Sequence, residues 1–284
     1  MPPKEHTQQR LTKLKLPPMP ESLQTIRAEQ AKASPDIDHV IDTIARDVSM
    51  AGEVLKTINS PLFSPRQPVS SIPNAVMMMG LDNVLNLCAA VALRQTMQCT
   101  KGNLALDRFW DTANDVAIAA SLLARHLSGI PADMAYTLGL FHDCGIPVMM
   151  CHHVDYVETL KQGDQGGLVA LEKQRYGMSH TQVGSQISKS WGLPRAISAA
   201  ILLHHHYPEA VARHDEVGEE VISLIGILKM AEHISMEFRG LAFRNQTHDR
   251  EWDEIGEQVL SHFELGETEF GDLKPRLLAE LGEA

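Results

Sequence analysis

Gly139-Leu140-Phe141-His142-Asp143-Cys144-Gly145 places a histidine and an aspartate side by side at the end of an apolar run. The run predicts a buried helix, and Gly145 predicts its end. An imidazole nitrogen and a carboxylate oxygen together suit borderline divalent metals such as iron, manganese, nickel or zinc. A bare His-Asp pair is nevertheless more often a helix-terminal histidine beside a solvated aspartate, so the rest of the sequence must decide between the two interpretations.

Further metal-ligand candidates occur later in the chain. His180 begins a predicted helix, and Gly184 lies one turn later on the same face, where it would let another helix approach closely. His204, His205 and His206 end an apolar helix, a position where the helix dipole alone favours imidazolium. Counting from Pro194 selects the first two of these histidines for the site, and counting back from Pro208 selects the last two. Glu232 could add a carboxylate.

The whole chain shows helical patterning, which predicts an all-α fold. Strict apolar alternation and Asn-Gly or Asp-Gly turns are absent, so no strand is expected. Ser34 is predicted to cap one helix, with Pro35 in its first position, and Asp82 to cap another. Ser179-x-x-Gln182 has the pattern of a capping box. The other predicted helices begin near Ser49, Ser71, Arg108, Ala132, Pro194, Val221 and Trp252.

The predicted organisation is one large helical domain with a tail and an extension. Residues 1–15 are charged and lack periodicity, so we expect a disordered tail. The domain is expected over residues 16–240, as an N-terminal lobe of about 16–105 and a second lobe of about 106–240, with residues 99–103 as the joint. Residues 241–284 are predicted to form a C-terminal helical extension.

Composition lowers the expectation for several partner classes. The net charge is −11, from 36 acidic and 25 basic residues, which disfavours nucleic acid and anionic membranes. No apolar run approaches the roughly 18 residues that a membrane span needs. No export signal is visible at the N-terminus, so a cytoplasmic location is expected. The four cysteines lack CxxC spacing and are expected to be reduced thiols.

Taken together, the ligand candidates resemble, in order and spacing, the residue set of the HD superfamily of metal-dependent phosphohydrolases. The match narrows to the HDOD branch, and it covers roughly residues 16 to 240. The motifs that carry it are 55–63, 69–76, 79–81, Phe109-Trp110, 139–145, Tyr176-Gly-Met-Ser-His180, Gly184 and Trp191-Gly-Leu-Pro194. The resemblance implies an HD-domain-like helical bundle with an N-terminal helical lobe.

The sequence also departs from the HD pattern. HD enzymes open with a histidine that joins the His-Asp pair, and the matching position here is Thr112, whose hydroxyl is a poor ligand for such a metal. The closing aspartate corresponds to Glu232. The HD-GYP branch, which hydrolyses cyclic dinucleotides, is poorly matched because only Tyr207-Pro208 follows the histidines.

The resemblance therefore implies a non-catalytic regulatory module in bacterial signal transduction that acts on a protein partner. Any divalent metal is expected to be weakly held or absent. The alternative is a metal-dependent phosphohydrolase for a nucleotide or other phosphoester, in which Asp143 would be essential. The metal ligands in either case would be His142, Asp143, His180, His204, His205 and Glu232. The sequence does not indicate the input signal or the oligomeric state.

Overall fold

The computed structural model describes residues 16–59, 63, 65, 67–96, 104–127, 129–163, 167–239 and 249–282. All regular structure in these residues is helical, and none of them forms a strand, as the sequence predicted. The predicted tail, residues 1–15, and the predicted joint between the lobes, residues 99–103, lie outside the described residues.

The helices follow one another with short connections. In chain order they are α1 Glu21–Gln30, α2 Ile37–Arg46, α3 Val48–Ile58, α4 Ile72–Met79, α5 Leu81–Thr96, α6 Leu104–His126, α7 Ala132–Phe141, α8 Gly145–His152, α9 Tyr156–Gly163, α10 Leu168–Tyr176, α11 His180–Ser190, α12 Arg195–Leu203, α13 Tyr207–Ala212, α14 His214–Val217, α15 Glu219–Arg239, α16 Arg250–His262 and α17 Glu267–Gly282.

Polar caps fix several of these helix starts. The predicted capping box is present at α11, where the Ser179 side chain accepts from the backbone N–H of Gln182 and the Gln182 side chain accepts from the backbone N–H of Ser179. At α4 the Ser71 side chain accepts from the backbone N–H of Asn74, and Gly80 follows the last residue of the helix, as predicted. These caps satisfy N–H groups that have no partner within the helix.

Two predicted caps were wrong. Asp36, not Ser34, caps α2, and its side chain accepts from the backbone N–H of His39 at 3.0 Å. Asp36 is an equally good cap and lies directly before Ile37, so the helix begins two residues later than expected. Asp82 lies inside the first turn of α5, which already begins at Leu81, rather than at its cap.

One continuous apolar cluster joins the helices, from Leu23 in α1 to Leu281 in α17. Its centre is formed by α6, α7 and α15, which pack on one another. The pair α11 and α12 packs on each other, with α8 against α11 and α15 against α12. Helices α1 to α5 form one side of the molecule and meet the centre where α5 packs on α7. The centre therefore brings segments that are far apart in sequence to one place.

The cysteines occupy different environments. Cys88 and Cys144 are free and fully buried, and burial raises the pKa of the Cys88 thiol to about 12. Cys151 is disulfide-bonded, so the expectation that every cysteine is reduced was wrong for this residue. Cys151 lies at the exposed end of α8, where a thiol is accessible to oxidation, and the other two lie inside the core.

Membrane-spanning length is not reached by any single helix in the part of the chain that the structure describes. Helices α4 and α5 together have the length and composition of a membrane span, but the chain bends by 116° between them.

Candidate metal centre

The His-Asp pair lies in a tight turn between two helices. α7 ends at Phe141, and the backbone N–H of His142 still donates to the Leu138 carbonyl at 2.8 Å. The sequence predicted that Gly145 ends this helix. Gly145 instead begins α8. A Cβ atom on Gly145 would lie 2.0 Å from the carbonyl oxygen of His180, so glycine is required by the close approach of α11. The turn and the start of α11 are thus in direct backbone contact.

Two other glycines bring helices close to the turn. Gly184 packs against the Ile201 side chain and the Cys144 sulfur, where an added Cβ would meet atoms at 3.1 and 3.2 Å. The predicted role of Gly184 in close helix approach is therefore confirmed. At Gly139 an added Cβ would lie 2.5 Å from the Cα of Ala117, so α7 lies directly against α6.

The structure brings the predicted ligand side chains together around Asp143. The Nε2 atoms of His180 and His204 lie 3.3 and 3.4 Å from Asp143 Oδ1. His142 Nε2 lies 3.4 Å from Asp143 Oδ2. One ligand atom from each of Asp143, His180, His204 and His205 lies within 4.8 Å of the others. This group is called the four-residue cluster below.

Each imidazole is held by a hydrogen bond on its Nδ1 atom, which directs Nε2 into the site. His180 Nδ1 donates to the buried Glu172 carboxylate at 2.8 Å, and His205 Nδ1 to Glu251 at 3.1 Å. The backbone supplies the other acceptors, Gly139 O for His142 at 2.7 Å and Ile201 O for His204 at 2.8 Å. Metal-bound histidines are typically oriented in this way, by an acceptor on the ring nitrogen that faces away from the ion.

The atoms that face the centre of the cluster have no hydrogen-bond partner among the residues that the structure describes. They are Asp143 Oδ1 and the Nε2 atoms of His180, His204 and His205, and all four are buried. Buried polar atoms without partners are rare and costly, and an ion is one of the groups that can satisfy them. A carboxylate with three imidazoles is also a donor set that zinc, iron, nickel and manganese accept. The cluster could therefore hold a metal ion, and the residues present fit one.

The pKa values of the buried histidines are shifted in different directions. Burial lowers the pKa of His204. Burial, together with the neighbouring His204 ring, which opposes a second positive charge, holds the pKa of His205 well below its usual value. Burial also acts to lower the pKa of His180, but the Glu172 and Asp143 carboxylates outweigh it and raise the pKa to about 10. Burial opposes ionisation of Asp143, yet the surrounding histidines hold its pKa well below the usual value. Binding of a metal would have to displace the proton of His180.

Glu232 lies beside the four-residue cluster and is shared between two partners. Its Oε1 lies 3.4 Å from His142 Nε2, and its Oε2 lies 2.8 Å from the ammonium of Lys229. Lys229 also contacts Glu251 at 2.9 Å. Burial acts to lower the pKa of Lys229, but the two glutamates outweigh it, so a buried ammonium ion is held next to the site.

Two of the three consecutive histidines at positions 204–206 face the site. His204 and His205 do, whereas the His206 side chain is 38% exposed and its nearest acidic partner, Glu209, is 4.0 Å away. Thr112 lies half-buried on α6. The only histidine of α6 is His126 in its last turn, so this helix brings no imidazole at the Thr112 position.

Sequence reasoning missed three residues of the site, Glu172, Lys229 and Glu251. A signal existed for two of them. Glu172 shares the buried face of α10 with Leu168 and Val169, and Lys229 lies in the apolar middle of α15. A charged residue on an apolar helix face is rare unless it is paired, and this could have marked both. Glu251 lies in the first turn of α16, where the sequence predicts an exposed side chain, so no such signal marked it.

Replacing Glu172 with glutamine is expected to weaken metal binding about 10- to 100-fold, because His180 Nδ1 would lose its anionic acceptor. The measurement is a competition titration with a metal-binding dye. The matched control is Glu158→Gln, since the Glu158 side chain is 60% exposed and contacts Lys161 and Gln162 on its own helix. Equal affinities of the two variants would show that Glu172 does not orient His180 for a metal.

A wholly helical fold in which a His-Asp turn meets histidines from two further helices defines an HD-like domain. The HDOD domain family model matches residues 16–207 of the chain. The chain therefore belongs to the HDOD family. The Glu251 and Lys229 contacts come from beyond the matched segment, so the chain's own C-terminal helices complete the site.

Known proteins resemble the chain over most of its length. An HDOD domain protein from Geobacter sulfurreducens, described as having unknown function, has a TM-score of 0.68 at 23% identity and covers 98% of this chain and 96% of its own. A protein from Shewanella amazonensis SB2B, provisionally named a metal-dependent phosphohydrolase, has a TM-score of 0.64 at 21% identity and covers 98% and 99%. These likenesses show the fold alone.

One curated relative also matches. An uncharacterized protein of Treponema pallidum (strain Nichols) is 24% identical over 257 residues, which is 88% of this chain and 46% of that protein. The chain thus spans about half the length of this relative.

Proposed function

We propose that this chain is a regulatory module that binds one divalent metal ion at the four-residue cluster and lacks efficient phosphohydrolase activity. The observation that carries the proposal is the set of four buried, unpartnered atoms on Asp143, His180, His204 and His205 that face one another. Hydrogen bonds from Nδ1 to the Glu172 and Glu251 carboxylates, on two other helices, and to the backbone carbonyl of Ile201 hold the three histidine Nε2 atoms in place. Such an arrangement costs folding free energy unless the atoms gain a common partner.

The same residues argue against efficient hydrolysis. A bound divalent ion can polarise a phosphoryl oxygen or lower the pKa of a water molecule. The HD pattern, however, has an imidazole where this chain has Thr112, and the carboxylate of Glu232 is engaged by Lys229 at 2.8 Å. A positive charge this close to the site also opposes a second cation.

Metal binding can be tested on protein stripped with a chelator. Titration with Mn²⁺, Fe²⁺, Ni²⁺ and Zn²⁺ is expected to load one ion per chain and to raise the thermal midpoint, because a ligand present at 100 times its Kd adds about 2.7 kcal/mol to the free energy of unfolding. His204→Gln should lose this shift. His206→Gln is the matched control and should keep it, since His206 faces away from the cluster.

Two results would contradict the proposal. One is the absence of any bound metal and of any midpoint shift in the parent protein. The other is an equal shift in His204→Gln and His206→Gln, which would place the ion elsewhere.

We further propose that the module acts through a protein partner, as an HDOD family member in signalling would. Partner capture from a bacterial lysate by the parent chain, compared with the folded Asp143→Ala variant, separates two modes of action. Capture by both proteins favours the helical surface as the binding element. Capture by the parent alone favours the metal cluster as the element that controls binding.

A phosphohydrolase remains the second candidate, because the side chains of Asp143 and Glu232 are 17% and 15% exposed, so solvent reaches the site. We expect weak or absent turnover of nucleotides, cyclic dinucleotides and simple phosphoesters with added manganese, iron or nickel. Thr112→His is expected to raise metal affinity about 10-fold or more by adding an imidazole. Unchanged affinity would remove Thr112 from the site, and rapid turnover by the parent, abolished in Asp143→Ala, would establish the enzyme.

A further inference from the structure

A cavity lies between helices α3, α5, α6 and α7 and shares no residue with the four-residue cluster. Its volume is 410 Å³, within the range of about 300 to 1,000 Å³ that is typical of small-molecule sites. Two of its walls come from the first hundred residues and two from the central helices. A molecule bound here would contact both sides of the fold at once.

The cavity is open because the residues of α3 that face the neighbouring helices are small. Gly52 lies in the middle of α3, and a Cβ atom there would meet no atom of the described residues within 4 Å. Glycine is a poor helix former, and no close contact or left-handed backbone requires it at this position. Ser49, one turn earlier on the same face, and Ala90 on α5 are also small. The space between the helices is therefore left open rather than filled by side chains.

Aromatic and aliphatic side chains form the deeper walls. Trp110 of α6 and Tyr136 of α7 line the cavity and are each only 8% exposed, together with Leu87, Val91 and Leu140. Indole and phenol rings beside aliphatic carbons are a suitable surface for a flat ring, which gains both burial and stacking. Burial raises the pKa of Tyr136 to about 12, so its hydroxyl stays protonated.

Charged groups surround the opening. Lys56 and Arg94 line the cavity, and both residues are exposed to solvent. Glu53 and Asp111 line it as well and can accept hydrogen bonds from N–H groups. Arginine and lysine near an apolar pocket are typical ligands for carboxylate and phosphate groups.

We propose that this cavity binds a small ring-bearing anion, namely an aromatic or heterocyclic ring joined to a carboxylate or phosphate. The ring lies against Trp110 and Tyr136, and the anionic group lies against Lys56 and Arg94. Glu53 or Asp111 accepts hydrogen bonds from the ring N–H groups of a heterocycle. The site is the entry point for a chemical signal into the module.

The position of the cavity on α7 explains how an occupant could be sensed. Tyr136 and Leu140 lie on one face of this helix, and the helix ends one residue after Leu140, directly before His142 and Asp143. A ligand that holds α3 and α5 against α6 and α7 would stabilise the helix that carries the His-Asp turn. Any shift in that helix is passed to the turn through its rigid backbone.

The test is isothermal titration calorimetry with defined probes. Guanosine 5′-monophosphate represents ring phosphates and indole-3-acetate represents ring carboxylates; guanosine, indole, inorganic phosphate and acetate are the matched fragments. At least one ring-bearing anion is expected to bind about tenfold or more tightly than either of its fragments. Lys56→Gln with Arg94→Gln should weaken this binding about tenfold or more, because charge-assisted hydrogen bonds are lost.

Four further variants locate the site. Gly52→Phe should abolish binding by filling the cavity, whereas Gly52→Ala should retain binding and raise the thermal midpoint. Lys161→Gln, at a side chain that is 60% exposed and outside the cavity, should bind as the parent does. Asp143→Asn tests whether the probe instead occupies the metal cluster.

The inference fails if neither probe binds more tightly than its fragments, or if binding survives in the Lys56→Gln, Arg94→Gln variant. It also fails if binding is lost in Asp143→Asn but kept in Gly52→Phe, since the probe would then occupy the metal cluster. Failure of metal loading would leave these outcomes unaffected, because the two sites share no residue.

Discussion

Gly145→Ala is expected to destabilise the protein by more than about 3 kcal/mol, because the new methyl group cannot be accommodated. It would lie 2.0 Å from the carbonyl oxygen of His180, 2.8 Å from its carbonyl carbon and 2.9 Å from the backbone nitrogen of Gly184. All three are backbone atoms, so no side-chain rotation relieves the overlap. The start of α11 must move away from the His-Asp turn, and the packing between α8 and α11 is lost with it.

Urea unfolding followed by circular dichroism measures this loss. Gly271→Ala is the matched control, because Gly271 lies within α17 and a Cβ there would meet nothing within 4 Å. The control is expected to be neutral or slightly more stable, since alanine is the better helix former. A Gly145→Ala variant within 1 kcal/mol of the parent would show that α11 does not approach the turn this closely.

Asp143→Asn is expected to weaken metal binding about 100-fold or more, since loss of a direct ligand should cost at least as much as loss of a supporting residue. Asp143 is the only anionic member of the four-residue cluster, and the other three members are imidazoles. At a metal concentration of 100 times the parent Kd, the stabilisation should fall from about 2.7 kcal/mol to about 0.4 kcal/mol. The volume of the side chain is unchanged, so the metal-free fold should persist.

Differential scanning fluorimetry with and without added metal gives this result directly. Asp215→Asn serves as the control, because Asp215 is fully exposed and its charge change equals that of the test variant. Metal shifts of the same size in both variants would exclude Asp143 as a ligand.

Helical periodicity and capping residues were sufficient to predict most helices. The apolar spacing and the Ser179-x-x-Gln182 pattern depend on contacts between residues three or four apart, which a sequence states directly. The start of α2 was misplaced because Ser34 and Asp36 are both good caps and only the position of the first buried turn separates them. The oxidised state of Cys151 was missed because spacing says nothing of exposure.

The candidate site was predicted in part. The order and spacing of His142, Asp143, His180 and the histidine run indicated a shared site. The sequence left open whether the first two or the last two histidines of the run belong to it, and the structure places His204 and His205 in the cluster. Their role as metal ligands stays a prediction. Glu172 and Lys229 were missed because each matters through a partner on another helix.

The sequence by itself determined that this protein is all-helical, where most of its helices lie, and which acidic and histidine residues could form an HD-type site. These features rest on local hydrogen bonding, on side-chain periodicity and on the order of residue types. Only the tertiary structure decided how Gly145 and Gly184 admit α11 and α12, which carboxylates hold the His180 and His205 imidazoles, that Lys229 binds Glu251, and that a cavity remains beside Gly52. Each of these depends on the distance between separate helices, which close packing of the whole core sets and no local pattern encodes.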